Sequence, residues 1–463
     1  MPTRLIHVEI ADGKYSVRLI TGISPRPYVT LSHCWGPKFP SHAKTTALNI
    51  GSRLSPSAIA WTELPQSFRD AVAMTERLGF EYIWIDALCI IQGSSADWQT
   101  ESSLMHQVYS HCDLMLSADA SSDTNEEQLA RRIVHFSIDE VSYDCLGGVE
   151  CHCGEWGPEG VTLLYNIWCK TLSDKICTEE FKHNWWRNTV ERYGERQLSF
   201  WSDRFPALSA LARQFQVSDK IGSGRLLVGR YKERMFNEID MGTYLAGFWS
   251  NFLQADLLWC ADCKSGVRVS TASNYVAPTW SWASVSGGVG WPTDGNGGTK
   301  GDSLAEILSV HCSPAGADKL GMITSAELVL RAKTTPVYLT KEFFHLSHSK
   351  YWNITLKSPC PAISKPASLS PFRPDCIQPT PEAKFWGGTI TRSRDSREKI
   401  IPVNDAEYLA VRMGALAIII VRVVEAGEPL VCERVGTVHR SYRENNGINR
   451  WFDGAKSQVL KII

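Results

Sequence analysis

Several familiar signals are missing from this 463-residue chain. Lys plus Arg number 48 and Asp plus Glu 49, a net charge of -1, with no stripe of one sign. Binding to nucleic acid needs a local basic excess, so a dedicated nucleic-acid binder is excluded. The opening MPTRLIHVEIADGKYSV holds no apolar core of the kind that makes a secretory signal. No apolar run is long enough to span a bilayer. Ala415 to Val424 (with LAIIIVRVV within it) is too short and reads as a buried strand. These absences predict a cytoplasmic protein with mostly reduced thiols among its 14 Cys. There is no internal repeat and no sensor module of the NACHT, WD-repeat or ankyrin kind. Paired metal half-sites are missing too. Cys145, Cys151, His152 and Cys153 lie more than 100 residues from Cys260 and Cys263, and one half is C-x-C, so buried thiols are expected rather than zinc.

Tryptophan, by contrast, is abundant, with 17 residues. Many fall in short clusters around Trp84, Trp98, Trp185, Trp186, Trp249, Trp259, Trp280, Trp282 and Trp291. An indole is costly to bury unless its N–H finds an acceptor, so repeated use marks specific packing sites.

The strongest patterning lies between residues 28 and 120. Tyr28 to Ser32 is β-rich, and His33-Cys34-Trp35-Gly36-Pro37 breaks it into a loop running to about Trp61. Leu64-Pro65 opens a helix, because proline suits a first helical turn. Phe68, Ala71, Val72, Thr75 and Leu78 then recur at helical spacing up to Gly79, a C-terminal stop. Tyr82 to Ile91 (YIWIDALCII) is almost continuously apolar and predicts a strand covered on both faces. Ser94, Ser95 or Asp97 can cap the next helix, which carries Glu101, Met105, Val108 and Tyr109. Asp113 to Ala118 predicts a third strand.

Strand, helix, strand, helix, strand implies a parallel three-layer α/β unit. Ligands of open parallel sheets bind beyond the carboxyl ends of the strands. Those ends carry Ser32, His33, Cys34 and Trp35, then Asp86 and Gln92, then Asp119. Asp86 stands out, since a carboxylate inside an apolar strand costs several kcal/mol unless paired. It either belongs to a site or caps a loop or helix start within the fold. Farther on, residues 181–260 read as mostly helical, with faces at Phe205 to Phe215 and Tyr244 to Trp259. Residues 277–291 read as β-like with glycine turns, 304–345 and 406–433 as strands, and 356–380 as loop.

Together these segments resemble the heterokaryon-incompatibility (HET) domain of filamentous-fungal incompatibility proteins. The carrying residues are Tyr28-Val29-Thr30-Leu31-Ser32-His33-Cys34-Trp35-Gly36, Leu64-Pro65 with Asp70-Ala71, and Tyr82 to Gln92, followed by Asp97-Trp98, Glu101, Met105 and Val108-Tyr109. Weaker likeness continues through Asp203 to Ala212, Tyr244 to Trp249 and Pro278 to Ser284. The resemblance implies a lead-in strand in 1–27, a HET domain in 28–136, a helical post-HET region with a Trp-rich end in 181–291, and a β-rich region in 304–463. The fold class expected is α/β, with a flavodoxin/TIR-like parallel sheet first, a helical segment next and a β-rich C-terminal region. One departure is plain: the family's Arg-Ala-Trp stretch is missing near 124–126, where Asp123-Thr124 passes almost directly to Glu126-Glu127-Gln128. A lost segment there would make the chain a truncated or inactive paralogue.

The resemblance implies self/non-self recognition, with cell death triggered by self-association or by contact with another HET-type protein through exposed Trp and loop residues. HET domains also look like distant relatives of TIR domains, some of which cleave NAD with a helix-borne Glu. Trp98-Gln99-Thr100-Glu101 occupies a comparable place. A carboxylate suits that chemistry because it stabilises an oxocarbenium-like state, and an indole can stack on a base. On this reading Glu101 is catalytic and Ser32, His33, Trp35, Asp86 and Trp98 hold NAD as substrate. Alternatively, Glu101 merely favours the first turn of its helix. A Cys34–His33 nucleophile is disfavoured, because neighbours on a strand point to opposite faces.

Overall fold

A computed structural model describes residues 2–11, 13–22, 24–33, 39–55, 59–118, 132–137, 141–145, 148–151, 179–195, 198, 200–216, 239–261, 267–271, 274–291, 304–316, 318–343, 350–356, 370–374, 388–389, 407–414, 418–438 and 451–463. The chain divides into two compact units. One comprises residues 1–177, 206–238 and 316–321, the other 178–205, 239–315 and 322–463.

The first unit is built on an eight-stranded mixed sheet. Its strands are β1 (Arg4–Ala11), β2 (Lys14–Thr21), β3 (Val29–His33), β4 (Tyr82–Ile85), β5 (Leu114–Ala118), β6 (Arg132–Phe136), β7 (Val141–Cys145) and β8 (Gly148–Cys151). They lie in the order β2-β1-β4-β3-β5-β6-β7-β8. The four central strands β4-β3-β5-β6 are parallel. Both flanks are antiparallel hairpins. The expected parallel core is therefore present but framed, and the lead-in predicted as one strand is the β1–β2 hairpin, docked on β4 through Ile6↔Ile83 and His7↔Tyr82. Leu5, Ile6, Val8, Val17 and Leu19 of that hairpin are buried in the same core as β3, β4 and β5.

The helices of this unit before β5 are α1 (Ile50–Leu54), α2 (Gln66–Arg77), α3 (Asp86–Cys89) and α4 (Ser95–His111). The first of these, with a 3-10 turn at Ser41–Ala43, lies within the stretch predicted as loop. Pro65 precedes the first turn of α2, and Gly79 at φ +82° ends it in the left-handed region glycine tolerates. Ser94 caps α4 by accepting from the Asp97 backbone N–H at 3.3 Å. Strand alternation sends Thr30 and Trp84 to one face, where Thr30 meets Cys112 and Trp84 meets Tyr109 of α4. His33 points to the other face, edge-on to Phe68 of α2 at 4.9 Å. The sheet is thus sandwiched between α2 and α4. The strand predicted over 82–91 is corrected: it ends at Ile85, and Asp86 begins a single helical turn. A uniformly buried apolar run carries no period, so its length could not reveal the break.

The second unit contains α5 (Glu179–Gly194), and α6 (Arg204–Phe215) begins in its chain segment. Between them and the C-terminal strands lie β9 (Tyr244–Leu245), β10 (Phe248–Trp249), α7 (Leu253–Asp256), β11 (Cys260–Ala261) and β12 (Val289–Gly290). Tyr244 to Trp259, predicted as one helix, is instead two short strands, a 3-10 turn and a short helix. Gly242 and Gly247, at φ +81° and +96°, break any continuous helix there. Residues 277–291 hold a 3-10 turn at Trp282–Ser284 and little strand.

The β-rich region is a nine-stranded sheet of β13 (Glu306–Pro314), β14 (Ile323–Phe343), β15 (Lys350–Leu356), β16 (Ser370–Pro374), β17 (Gly388–Thr389), β18 (Tyr408–Arg412), β19 (Ile418–Glu425), β20 (Leu430–Val438) and β21 (Ser457–Ile462). Its path β14-β15-β16-β20-β19-β18 returns to β14 and closes like a barrel. Val337, Ala410, Ile418, Ile420, Val435, Trp451 and Phe452 form a core there. The strands expected at 304–345 and 406–433 are present, β19 covers residues 418–424 of the run expected as a strand at 415–424, and β16 lies where a loop was expected. Among the described residues, no helix is long and apolar enough to cross a membrane.

Candidate functional site

The carboxyl ends of the parallel strands bring polar residues together. Register places Ser32 beside Ser117 and Ser117 beside His135, so one polar residue from each of three adjacent strands occupies a single row. All three are buried. On the other side of β3, Leu31 pairs with Ile85, so Asp86 follows directly at the tip of β4. Its Oδ1 lies 3.9 Å from His33 Nδ1 and accepts the Ala87 backbone N–H at 2.5 Å. Asp86 therefore opens the α3 turn, as one of the two readings expected, and lies near a strand-tip histidine. Gln92 donates to the Asp86 carbonyl at 3.3 Å. Cys34, Trp35 and Asp119 lie outside the described residues, as does the stretch where the Arg-Ala-Trp motif is missing.

Glu101 occupies a second cluster, on α4. It is 2% exposed. Its Oε1 accepts a hydrogen bond from the Thr3 hydroxyl and another from Arg4 at 3.1 Å. The same Arg4 Nη2 donates to both oxygens of Asp97, at 2.8 and 2.6 Å, while its Nε donates to the Cys89 carbonyl at 2.5 Å. Asp97 also accepts from the Ile91 backbone N–H at 2.7 Å. Since β1 runs antiparallel to β4, its first residues arrive at the carboxyl end of β4, which is why Thr3 and Arg4 reach these carboxylates. Burial pushes the Glu101 carboxyl above the ordinary range; the Thr3 hydrogen bond and the Arg4 charge oppose this, and Asp97 adds to it. Trp98 is half-buried against the core. Arg4 and Thr3 escaped the sequence reading because they stand 85 or more positions from their partners.

The tryptophans of the second unit serve packing. Trp186, Trp249, Trp259, Trp280 and Trp282 are fully buried, as is Trp84 in the first unit. Trp186 and Trp282 both donate to the Gly247 carbonyl, at 3.0 and 3.1 Å, and Trp259 donates to the Trp280 carbonyl at 2.9 Å. These indoles are unavailable as the exposed docking surface the sequence allowed. Beside them, Asp256 is fully buried, and its Oδ1 accepts from His183 Nε2 and Arg187 Nε, each at 2.7 Å. Among the described residues no His, Cys, Asp and Glu group can hold a metal ion.

The model of the heterokaryon incompatibility protein (HET) family matches residues 28–152. The chain carries a HET domain. That match spans β3 to β8, hence the whole parallel centre of the sheet and both polar clusters apart from Thr3 and Arg4. It ties the chain to heterokaryon incompatibility. No curated protein and no solved structure matches the chain.

Proposed function

We propose that this HET-domain protein acts in self/non-self recognition in the cytoplasm, its HET domain triggering a cell-death response by self-association or by contact with another HET-type protein. The observation that carries this reading is the family match over the strands that gather Ser32, His33 and Asp86 at one sheet edge. The parallel order β4-β3-β5-β6, with α2 and α4 on opposite faces, supports a flavodoxin/TIR-like core. The test is expression of the full chain in a host cell, scoring viability beside light-scattering mass measurement of the purified protein. Growth arrest together with a species larger than the monomer is expected. Harmless expression of a folded monomer removes the reading.

A second reading has the domain cleave NAD through Glu101, with Ser32, His33, Trp35, Asp86 and Trp98 holding the substrate. Its support is a buried carboxyl, raised by its surroundings, near the carboxyl edge of a parallel sheet. Against it, that carboxyl already accepts from Thr3 and Arg4. NAD loss in the wild type but not in Glu101→Gln supports the reading, and equal rates in the two remove it.

A further inference from the structure

The family match begins at residue 28, yet the groups that satisfy Asp97 and Glu101 come from residues 3 and 4. We propose that Arg4 is the positioning residue of the HET domain's two α4 carboxylates, so that the β1–β2 hairpin belongs to the working domain. The proposal rests on the second reading above, in which Glu101 carries the domain's output.

Three observations support it. Arg4 spans Asp97 and Glu101, which are one helical turn apart and would repel each other with no cation between them. Its Nε holds the Cys89 carbonyl, the last residue of the turn that Asp86 begins. One guanidinium therefore fixes α4 against α3, and the Glu101 cluster against the strand-tip cluster. Third, Arg4 is only 12% exposed, and its planar fork delivers donors in fixed directions that an ammonium cannot copy. The hairpin is not a loose appendage, because Leu5, Ile6, Val17 and Leu19 are in the core. The groups facing Glu101 are Thr3, just before β1, Arg4 of β1 and Asp97 from its own helix. Arg4 supplies the one charge among them that favours the carboxylate.

The test uses the full chain as wild type, Arg4→Lys, Arg4→Gln, Thr3→Val and Glu101→Gln. NAD consumption is followed against pH, growth of an expressing host is scored, and circular dichroism establishes folding. Arg4→Gln is expected to lower output on the order of tenfold to a hundredfold while remaining folded. Removing the positive charge raises the Glu101 carboxyl further, so the acid limb of the pH profile moves to higher pH. Arg4→Lys recovers the limb's position but only part of the rate, and Thr3→Val, which removes the larger of the two opposing effects, also shifts the limb upward. Folded Arg4→Gln with wild-type output and an unmoved limb, beside a dead Glu101→Gln, overturns the role of Arg4 and leaves Glu101 standing. Glu101→Gln with wild-type output overturns the Glu101 reading and this proposal with it, as does the absence of both outputs from every form. Should Arg4→Gln not fold, Arg4→Lys and Thr3→Val decide: unchanged rates and limb in both overturn the proposal.

Discussion

Replacing Asp256 by alanine should cost the second unit about 3 kcal/mol. The carboxylate is fully buried, and a single oxygen accepts both His183 and Arg187 at 2.7 Å. Alanine leaves the Arg187 guanidinium over the Trp291 ring, 5.2 Å from its centroid, with its carboxylate partner gone. Breaking a buried pair from one side costs roughly 3–5 kcal/mol, because the surviving charge keeps its desolvation penalty. Arg187 retains 14% exposure, so water recovers part of that and the lower end applies. Asn at 256 keeps an acceptor and loses the charge, for about 1.5 kcal/mol. Removing both partners, as Asp256→Leu with Arg187→Leu, takes away the stranded charge and should cost about 1 kcal/mol. Urea unfolding followed by tryptophan fluorescence reads this well, since five fully buried indoles lie in the same unit. The reasoning fails if Asp256→Ala unfolds within about 0.5 kcal/mol of wild type, or if the double variant is as damaged as the single one.

Trp84→Ala should lose about 3–5 kcal/mol in thermal or denaturant unfolding, because the indole is fully buried between β4 and α4. Gly247→Ala should lose about 2 kcal/mol or more: its φ is +96° and a Cβ would stand 2.4 Å from Trp282 Nε1. A wild-type melting temperature would contradict that clash. Burial lifts the Asp203 carboxyl from 3.8 to about 6, against the Ser202 hydrogen bond. The folded state is then the better proton binder, so the stability this group lends is complete below 3.8 and is lost as pH rises through about 6. Asp203→Asn should abolish that part of the slope, and stability curves of equal slope between pH 4 and about 6 would refute it.

The elements that could be read from the residues are those with a local physical signature. Pro65, Gly79 and Ser94 mark the ends of α2 and the start of α4, and Phe68, Ala71, Val72 and Thr75 show the buried stripe of α2. The β3, α2, α4 and β5 segments were recoverable for that reason. The break inside YIWIDALCII was not, since Ala87, Leu88 and Cys89 are as buried as the strand before them. Only the polar Asp86 hinted at it. Tyr244 to Trp259 misled because its large apolar residues mimic helical spacing while backbone turns at Gly242 and Gly247 decide the path. The β1–β2 hairpin was read as a single lead-in strand, because nothing local to residues 1–27 shows its docking on β4. Of the candidate site, Ser32, His33 and Asp86 followed from strand ends. Ser117, His135, Thr3 and Arg4 came from register and from pairing across the sequence, which no local pattern encodes.

Strand β14 takes part in five ladders, with β13, β15, β17, β18 and β21. The ladders with β13 and β15 are hairpins between neighbours in sequence, whereas β17, β18 and β21 return from distant chain, as far along as Ile462. Such a strand acts as a keystone: three of its ladders cannot close until distant chain has been synthesised and brought back. The β-rich region should assemble late and in one concerted step, slowly compared with the helices. A substitution that weakens β14 anywhere along its length should lower the unfolding transition of all five partners together.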